Sequence, residues 1–246
     1  MASARLAAAR PALGLLSVPP GVARGAPRLR KPPVAWASMS PTSPPSLLVL
    51  LGLRLAGFRP ADVVAAAAGL PQEEVAALLE GFAATGLATH RSGRFNGWSL
   101  TPAGRAEGER LLAAELDDAG CRVELERCYR DFLQLNGLLL ALCTDWQMTG
   151  PETLNDHTDA AYDDAVVGRL VELDGAAQPV CWRLAACIGR YGGYGRRLAH
   201  ALSRVRDGER DWFTKPMIAS YHTVWFELHE DLLATLNLDR AAETTR

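Results

Sequence analysis

Two histidines near the C-terminus are the first candidates for chemistry. His222 and His229 are seven residues apart, so on a helix they lie on one stripe with Trp225 between them. Such a stripe could bind a small effector in an aromatic pocket, or it could be the edge of an ordinary terminal helix. Metal ligands on one helix are usually four residues apart, so this spacing does not favour a metal site. We predict no metal and treat His222, Trp225 and His229 as candidate effector-binding residues.

Two further polar segments could contact the same effector. His157 lies between two aspartates, although a polar residue beside it could simply cap the following helix. Residues 190–197 combine glycines, tyrosines and arginines before a predicted helix, where backbone N–H groups and arginine side chains could hold a carboxylate or a phosphate. The same segment could be a helix-breaking corner with arginines on its surface. We keep His157, Arg190 and Arg197 as candidate effector-binding residues.

No motif in the sequence indicates an enzyme. There is no G-x-S-x-G and no Walker-type loop, and the five cysteines form no C-x-x-C pair. An active site in the C-terminal half would need His157, His222 and His229 to converge within hydrogen-bonding reach. We therefore predict a protein that is not an enzyme and needs no cofactor. An odd, scattered set of cysteines favours a reducing compartment, and we predict a cytoplasmic location.

The charge of the chain is unevenly distributed. The 246 residues are 48% hydrophobic and 22% charged, which is typical of a globular protein, and the formal net charge is −2. Residues 1–45 hold six basic residues and no acidic one, so the remainder carries 20 basic and 28 acidic residues. This acidic remainder argues against binding nucleic acid by bulk charge alone. No apolar run reaches the ~18 residues that span a bilayer, so we predict no membrane partner.

The first 45 residues differ in composition from the rest. They are rich in Ala, Arg, Pro and Ser and have little apolar periodicity, which predicts a disordered extension. An organelle transit peptide, a flexible basic arm and translated upstream sequence with Met39 as the true start all fit this composition. Met39 lies just before the first patterned segment, which favours the third interpretation.

The rest of the chain predicts a mainly α protein with one β-hairpin. Apolar periodicity, glycine stops and a Thr101-Pro102 helix start define the elements of residues 46–119. They are helices 47–55, 61–68, 72–85 and 102–119 and strands 87–91 and 98–101. From Cys121 onward the pattern predicts helices and no strand. Those helices are 122–147, 159–173, 177–191, 195–207 and 217–236.

The order of these elements is that of a winged helix-turn-helix. The segments GLATHR (86–91) and WSLTPAGR (98–105) resemble the wing of MarR/PadR-type bacterial transcription regulators, where a basic hairpin leads into an LTPAGR helix start. Segments 155–159 and 220–231 are similar to the helical C-terminal part of actinobacterial proteins labelled regulators. The resemblance implies a winged-helix DNA-binding domain over 46–119 and an all-helical domain over 120–246 that dimerises or senses an effector.

The same architecture implies which residues face DNA. Helix 72–85 would enter the major groove with Gln72, Glu73 and Ala76 on its solvent face. Phosphate attraction would come from the wing and the helix after it, that is from His90, Arg91, Arg94, Arg105 and Arg110. Because helix 72–85 holds three glutamates and no Arg or Lys, two hypotheses remain open. One is a homodimeric regulator that binds double-stranded DNA mainly through its wing; the other is a winged helix used for protein or small-ligand binding without DNA.

Overall fold

Helices form most of the structure, with two small antiparallel hairpins between them. A computed structural model of the protein describes residues 43–239. Its helices are α1 (Pro45–Ala56), α2 (Ala61–Ala68), α3 (Gln72–Ala84), α4 (Pro102–Ala119), α5 (Arg122–Gln147), α6 (Ala160–Cys187), α7 (Tyr194–Arg206), α8 (Asp211–Thr214) and α9 (Tyr221–Leu236). The strands are β1 (Ala88–Arg91), β2 (Gly97–Leu100), β3 (Met148–Gly150) and β4 (Thr153–Leu154), and a 3₁₀ turn spans Gly189–Gly193.

The bounds of the first four helices and of the first hairpin follow local signals in the sequence. Helix α2 ends at Gly69, which adopts the left-handed conformation that glycine favours at this position. At the start of α4, the Thr101 hydroxyl accepts a hydrogen bond from the Gly104 N–H (3.0 Å), and Pro102 is the first helical residue. The predicted bounds of these elements are therefore confirmed to within two residues.

The first hairpin is fixed to the helices at its base. Strands β1 and β2 pair from Ala88 opposite Leu100 to Arg91 opposite Gly97. The backbone between α1 and α2 adds a bridge to β2, in which the Arg59 N–H donates to the Trp98 carbonyl (3.0 Å) and the Trp98 N–H donates to the Arg59 carbonyl (2.7 Å). These two backbone hydrogen bonds attach the base of the hairpin to the segment between α1 and α2.

Two hydrophobic cores lie on either side of a smaller shared cluster. The first core packs α1, α2 and α3 against the base of the hairpin, and the second packs α5, α6, α7 and α9 together. The shared cluster joins α1, α4 and α9 through Leu47, Leu51, Leu112 and Ala234. Since α9 closes this cluster, the last described helix supports the first one.

The C-terminal half differs from the prediction in its strands, in α6 and before α9, which begins at Tyr221 instead of 217 and follows the unpredicted short helix α8. The prediction of no strand after Cys121 is wrong, because β3 and β4 form a short hairpin that is too brief to show alternation. The predicted helices 159–173 and 177–191 are one continuous helix, α6, which passes through Gly175 and contains Pro179. Its buried residues on both sides of Gly175 pack in the second core, and this burial outweighs the low helix propensity of glycine.

The described chain begins directly before α1. The extension predicted over 1–45 lies outside the described residues as far as position 42. Ser43 is buried, and Pro45 is already the first residue of α1. Over residues 43–239, no helix combines the length and the apolar character that crossing a bilayer requires.

Candidate functional site

The tip of the first hairpin carries exposed arginines beside an exposed aromatic ring. Arg91 ends β1, and Arg94 and Phe95 lie in the turn, where Phe95 is 72% exposed. The Arg94 guanidinium lies 5.8 Å from the centroid of the Phe95 ring. With Phe58 and Ser92, these residues line an open depression of about 500 Å³. Neither arginine forms an ion pair within residues 43–239, so both charges are available to an external anion.

Close packing beneath the tip holds it in place. A Cβ atom at Gly97 would lie 2.8 Å from the Phe58 ring, so a larger residue here would displace the ring. The His90 ring stacks on Trp98 with 4.5 Å between centroids, and its Nε2 lies 2.8 Å from the Asn96 side-chain oxygen. His90, which the sequence indicated as a DNA contact, therefore already has partners within the hairpin and supports its tip.

A third unpaired cation follows the hairpin. Arg105 is exposed in the first turn of α4 and has no acidic partner among the described residues. Farther along α4, Arg110 pairs with Glu107, and Glu109 pairs with Arg54 of α1. Among the described residues of this region, the cations without an acidic partner therefore lie at the hairpin tip, at the start of α4 and at Arg59, whose guanidinium donates to the Phe58 carbonyl.

Helix α3 has an apolar inner face and an acidic outer face. Its buried residues are Val75, Leu79 and Phe82, which pack in the first core. The outer face carries the three residues predicted to meet DNA together with the other two glutamates, and all of them are exposed: Gln72, Glu73, Glu74, Ala76 and Glu80. None of these glutamates has a basic partner within residues 43–239. This face therefore favours neutral or positively charged groups over phosphates.

The aromatic stripe of α9 faces inward. Trp225 and His229 are both buried against Phe132 of α5, with ring centroids 4.6 and 5.1 Å away. The Trp225 indole N–H donates to the Asn136 side-chain oxygen (3.0 Å). His222 is half-buried, and this burial lowers its pKa. In the structure, Trp225 and His229 are part of the second core.

His157 belongs to a different polar cluster. Its Nδ1 lies 3.1 and 3.0 Å from the two carboxylate oxygens of Asp163, and its ring packs against Trp146 at 4.5 Å. Burial raises the pKa of Asp163, but hydrogen bonds from Asn155 and His157 outweigh it, and the pKa lies below its ordinary value. The cap of α6 is Asp159, which accepts from two backbone N–H groups of the first turn.

The structure does not bring His157 and His229 together. Their contacts on α5, Trp146 and Phe132, are fourteen residues apart, which is about 21 Å along a helix. Within residues 43–239, no group of three or more His, Cys, Asp and Glu side chains is placed to hold a metal ion. His157 and His229 therefore belong to separate sites in the described part of the chain.

Arg190 is enclosed by protein acceptors. Its side chain is only 4% exposed, its Nε donates to Glu115 (2.7 Å), its Nη1 pairs with Asp231, and its Nη2 donates to the Thr235 hydroxyl (2.7 Å). Burial works against the charge, but the carboxylates of Asp231 and Glu115 outweigh it and raise the pKa of Arg190. The donors that sequence reasoning offered to an effector are thus used inside the fold.

Arg197 is more accessible than Arg190 but also has a partner. It pairs with Glu227 of α9, and its side chain is 41% exposed. The six candidate effector residues therefore lie in separate places: Trp225 and His229 in the α5–α9 core, His157 at the start of α6, Arg190 in a buried cluster with α4 and α9, Arg197 on the α7–α9 surface, and His222 half-buried in the first turn of α9. They do not form one pocket lined by all six.

Sequence reasoning missed two phenylalanines: Phe95 in the hairpin turn, and Phe58, which lies between α1 and α2 and packs beneath that turn. The one available signal was an apolar residue in a loop otherwise made of turn residues and arginine. With the geometry in place, the hairpin tip and Arg105 are the strongest candidate binding surface in the described part of the chain. Comparisons of the chain with protein-family models, with curated proteins and with solved structures find no match.

Proposed function

We propose that the protein is a DNA-binding transcription regulator whose residues 46–119 act as a winged helix-turn-helix. The observation that carries this proposal is the pair Arg91 and Arg94, which has no acidic partner in the described chain at the exposed tip of a hairpin. The helix order and the outward face of α3 also fit this module.

In this proposal the hairpin provides most of the affinity. Arg91, Arg94 and Arg105 contact phosphates, while α3 faces the major groove and Gln72 can bond an adenine edge in a bidentate manner. The glutamates of α3 repel the DNA backbone, so binding should be weak and should depend strongly on the hairpin. We further propose that the protein is a homodimer, because such modules read two half-sites. We propose the cytoplasm as its location.

The helical half would act as the regulatory part of this protein. It is joined to the DNA-facing half by the shared cluster of α1, α4 and α9 and by the Arg190–Glu115 pair. A small effector that binds one arrangement of these elements more tightly than another would shift the protein towards that arrangement. The free energy of DNA binding could then change by at most the difference between the two effector binding free energies. Arg197 and His222 are the candidate effector residues that remain partly exposed.

The test is binding of the purified full-length protein to a pool of genomic duplex fragments that includes the region upstream of its own gene. We expect the affinity to fall as salt rises, because phosphate contacts release counterions. The double variant Arg91→Ala, Arg94→Ala should weaken binding and lower the slope of log K against log salt by about 1.8, or about 0.9 per phosphate contact.

The matched control is the double variant Arg130→Ala, Arg206→Ala, which changes the net charge equally at exposed positions of α5 and α7. It should leave both affinity and salt slope close to wild type. Equal effects of the two double variants, or an affinity that does not respond to salt, would contradict a hairpin-anchored DNA complex.

A second candidate function is favoured by the acidic outer face of α3. A protein-interaction or ligand-binding module that makes no DNA contact would use this face, and Glu73 and Glu80 would then be contacts. The variant Glu73→Gln, Glu80→Gln separates the two candidates. It should strengthen duplex binding if α3 faces DNA, because like charges are removed from the interface. The interaction module is favoured if wild type and this variant both fail to bind duplex at low salt.

A further inference from the structure

We propose that Phe95 acts as a wedge that inserts between base pairs from the minor groove and kinks the DNA. This inference rests on the proposed function and names how the hairpin tip engages the duplex. The occupant of the tip is a base step of double-stranded DNA.

The chemistry of the tip fits this occupant. Phe95 exposes 72% of its surface at the end of a hairpin, where turn residues are usually small or polar. An exposed aromatic ring beside two arginines combines a face that can stack on bases with charges that can contact phosphates. Arg91 and Arg94 beside the ring complement the phosphates that line a groove.

The tip is also supported well enough to push against a base stack. The Arg59–Trp98 backbone bonds, the stacking of His90 on Trp98 and the close approach of Gly97 to Phe58 fix the base of the hairpin. Insertion of an apolar side chain unstacks one step and bends the duplex by between about 20° and 90°. The unstacking energy is recovered when the bent DNA contacts more protein surface, such as Arg105 at the start of α4.

A basic hairpin with an aromatic tip could also enter the surface of an anionic membrane. DNA is favoured because the hairpin belongs to the element order of a winged helix, in which the wing lies along a duplex. Binding to vesicles is therefore one arm of the test.

The experiment measures the end-to-end distance of a duplex of about 30 base pairs by energy transfer, with and without the full-length protein. The duplex is taken from a genomic fragment that wild type binds. Phe95→Ala is compared with Phe95→Leu, which keeps an apolar wedge, and thermal unfolding confirms that both variants fold. Vesicles of anionic phospholipid are titrated in parallel.

We expect wild type and Phe95→Leu to shorten the end-to-end distance. Phe95→Ala should bind about ten-fold more weakly or worse, with an unchanged salt slope and no shortening. Three outcomes would overturn the wedge while leaving the proposal of DNA binding in place. They are equal bending by wild type and Phe95→Ala, binding of wild type without bending, and loss of vesicle binding in Phe95→Ala with no effect on DNA. Absence of duplex binding by wild type at low salt would overturn both proposals.

Discussion

The guanidinium of Arg190 and the carboxylate of Glu115 form a buried ion pair that joins the 3₁₀ turn after α6 to helix α4, with 2.7 Å between Nε and Oε2. Asp231 of α9 supplies a second buried carboxylate to the same guanidinium. Since α4 begins directly after the hairpin, this pair ties the helical half to the element that follows the proposed DNA-contacting tip. One arginine therefore connects three helical elements.

Removal of Arg190 should be strongly destabilising. Arg190→Met keeps most of the apolar stem but leaves Glu115 and Asp231 as buried carboxylates without a cation, which costs about 3–5 kcal/mol. Urea unfolding of the full chain measures this loss. The control is Lys215→Met, which removes an exposed ion pair with Asp211 and should leave the free energy of unfolding nearly unchanged. Similar values for the two variants would contradict a structural role for the buried pair.

The contact between α4 and the start of the hairpin should tolerate no side chain at Gly104. A Cβ atom there would lie 1.9 Å from the Leu87 carbonyl oxygen, so the backbone must shift. We expect Gly104→Ala to cost at least about 2 kcal/mol. Gly137→Ala is the matched control, because Gly137 lies on an exposed face of α5 and an added methyl group would meet nothing within 4 Å, and it should gain about 0.5–1 kcal/mol. A loss in the control, or none at Gly104, would contradict this packing.

The parts of the fold that follow from the sequence are those set by neighbouring residues. Gly69 and Thr101-Pro102 fix helix ends through their own backbone preferences, so the elements of 46–119 could be predicted. The continuity of α6 could not, because burial of residues on both sides of Gly175 decides it.

In the candidate site too, features set by neighbouring residues could be predicted and features set by long-range packing could not. Arg91 ends β1 and Arg94 lies in the turn that follows, where exposure is expected from local composition. The partners of Arg190 could not be inferred, since Glu115 and Asp231 are 75 and 41 residues away along the chain and only the packing of α4 and α9 brings them together. The sequence therefore indicated a polar cluster at Arg190 but not that protein carboxylates bury and pair its guanidinium.

The hydroxyl of Thr101 should matter more than its methyl group. It donates to the Gly86 carbonyl (2.7 Å) and accepts from the Gly104 N–H (3.0 Å), so it joins the start of the hairpin to the start of α4. Thr101→Val removes both bonds and should cost about 1–2 kcal/mol, whereas Thr101→Ser keeps them and should stay close to wild type. Urea unfolding gives the energies, and faster amide exchange at Gly104 in the valine variant locates the effect. Equal stability of the two variants would show that the cap is unimportant.

Burial of His222 should make the protein less stable in mild acid. Its pKa in the folded chain lies below the ordinary value of 6.5 because burial disfavours the charged ring. The unfolded chain then binds the proton more tightly, so the stability due to this group is present above about pH 6.5 and is lost as the pH falls through that value towards the folded pKa. His222→Gln removes this titration, so its free energy of unfolding should fall less than that of wild type over the same interval. Urea unfolding of both proteins across this interval, with the exposed His200→Gln as a control that should follow wild type, measures the difference. If the difference in free energy of unfolding between wild type and His222→Gln does not change with pH, the ring is not desolvated enough to affect folding.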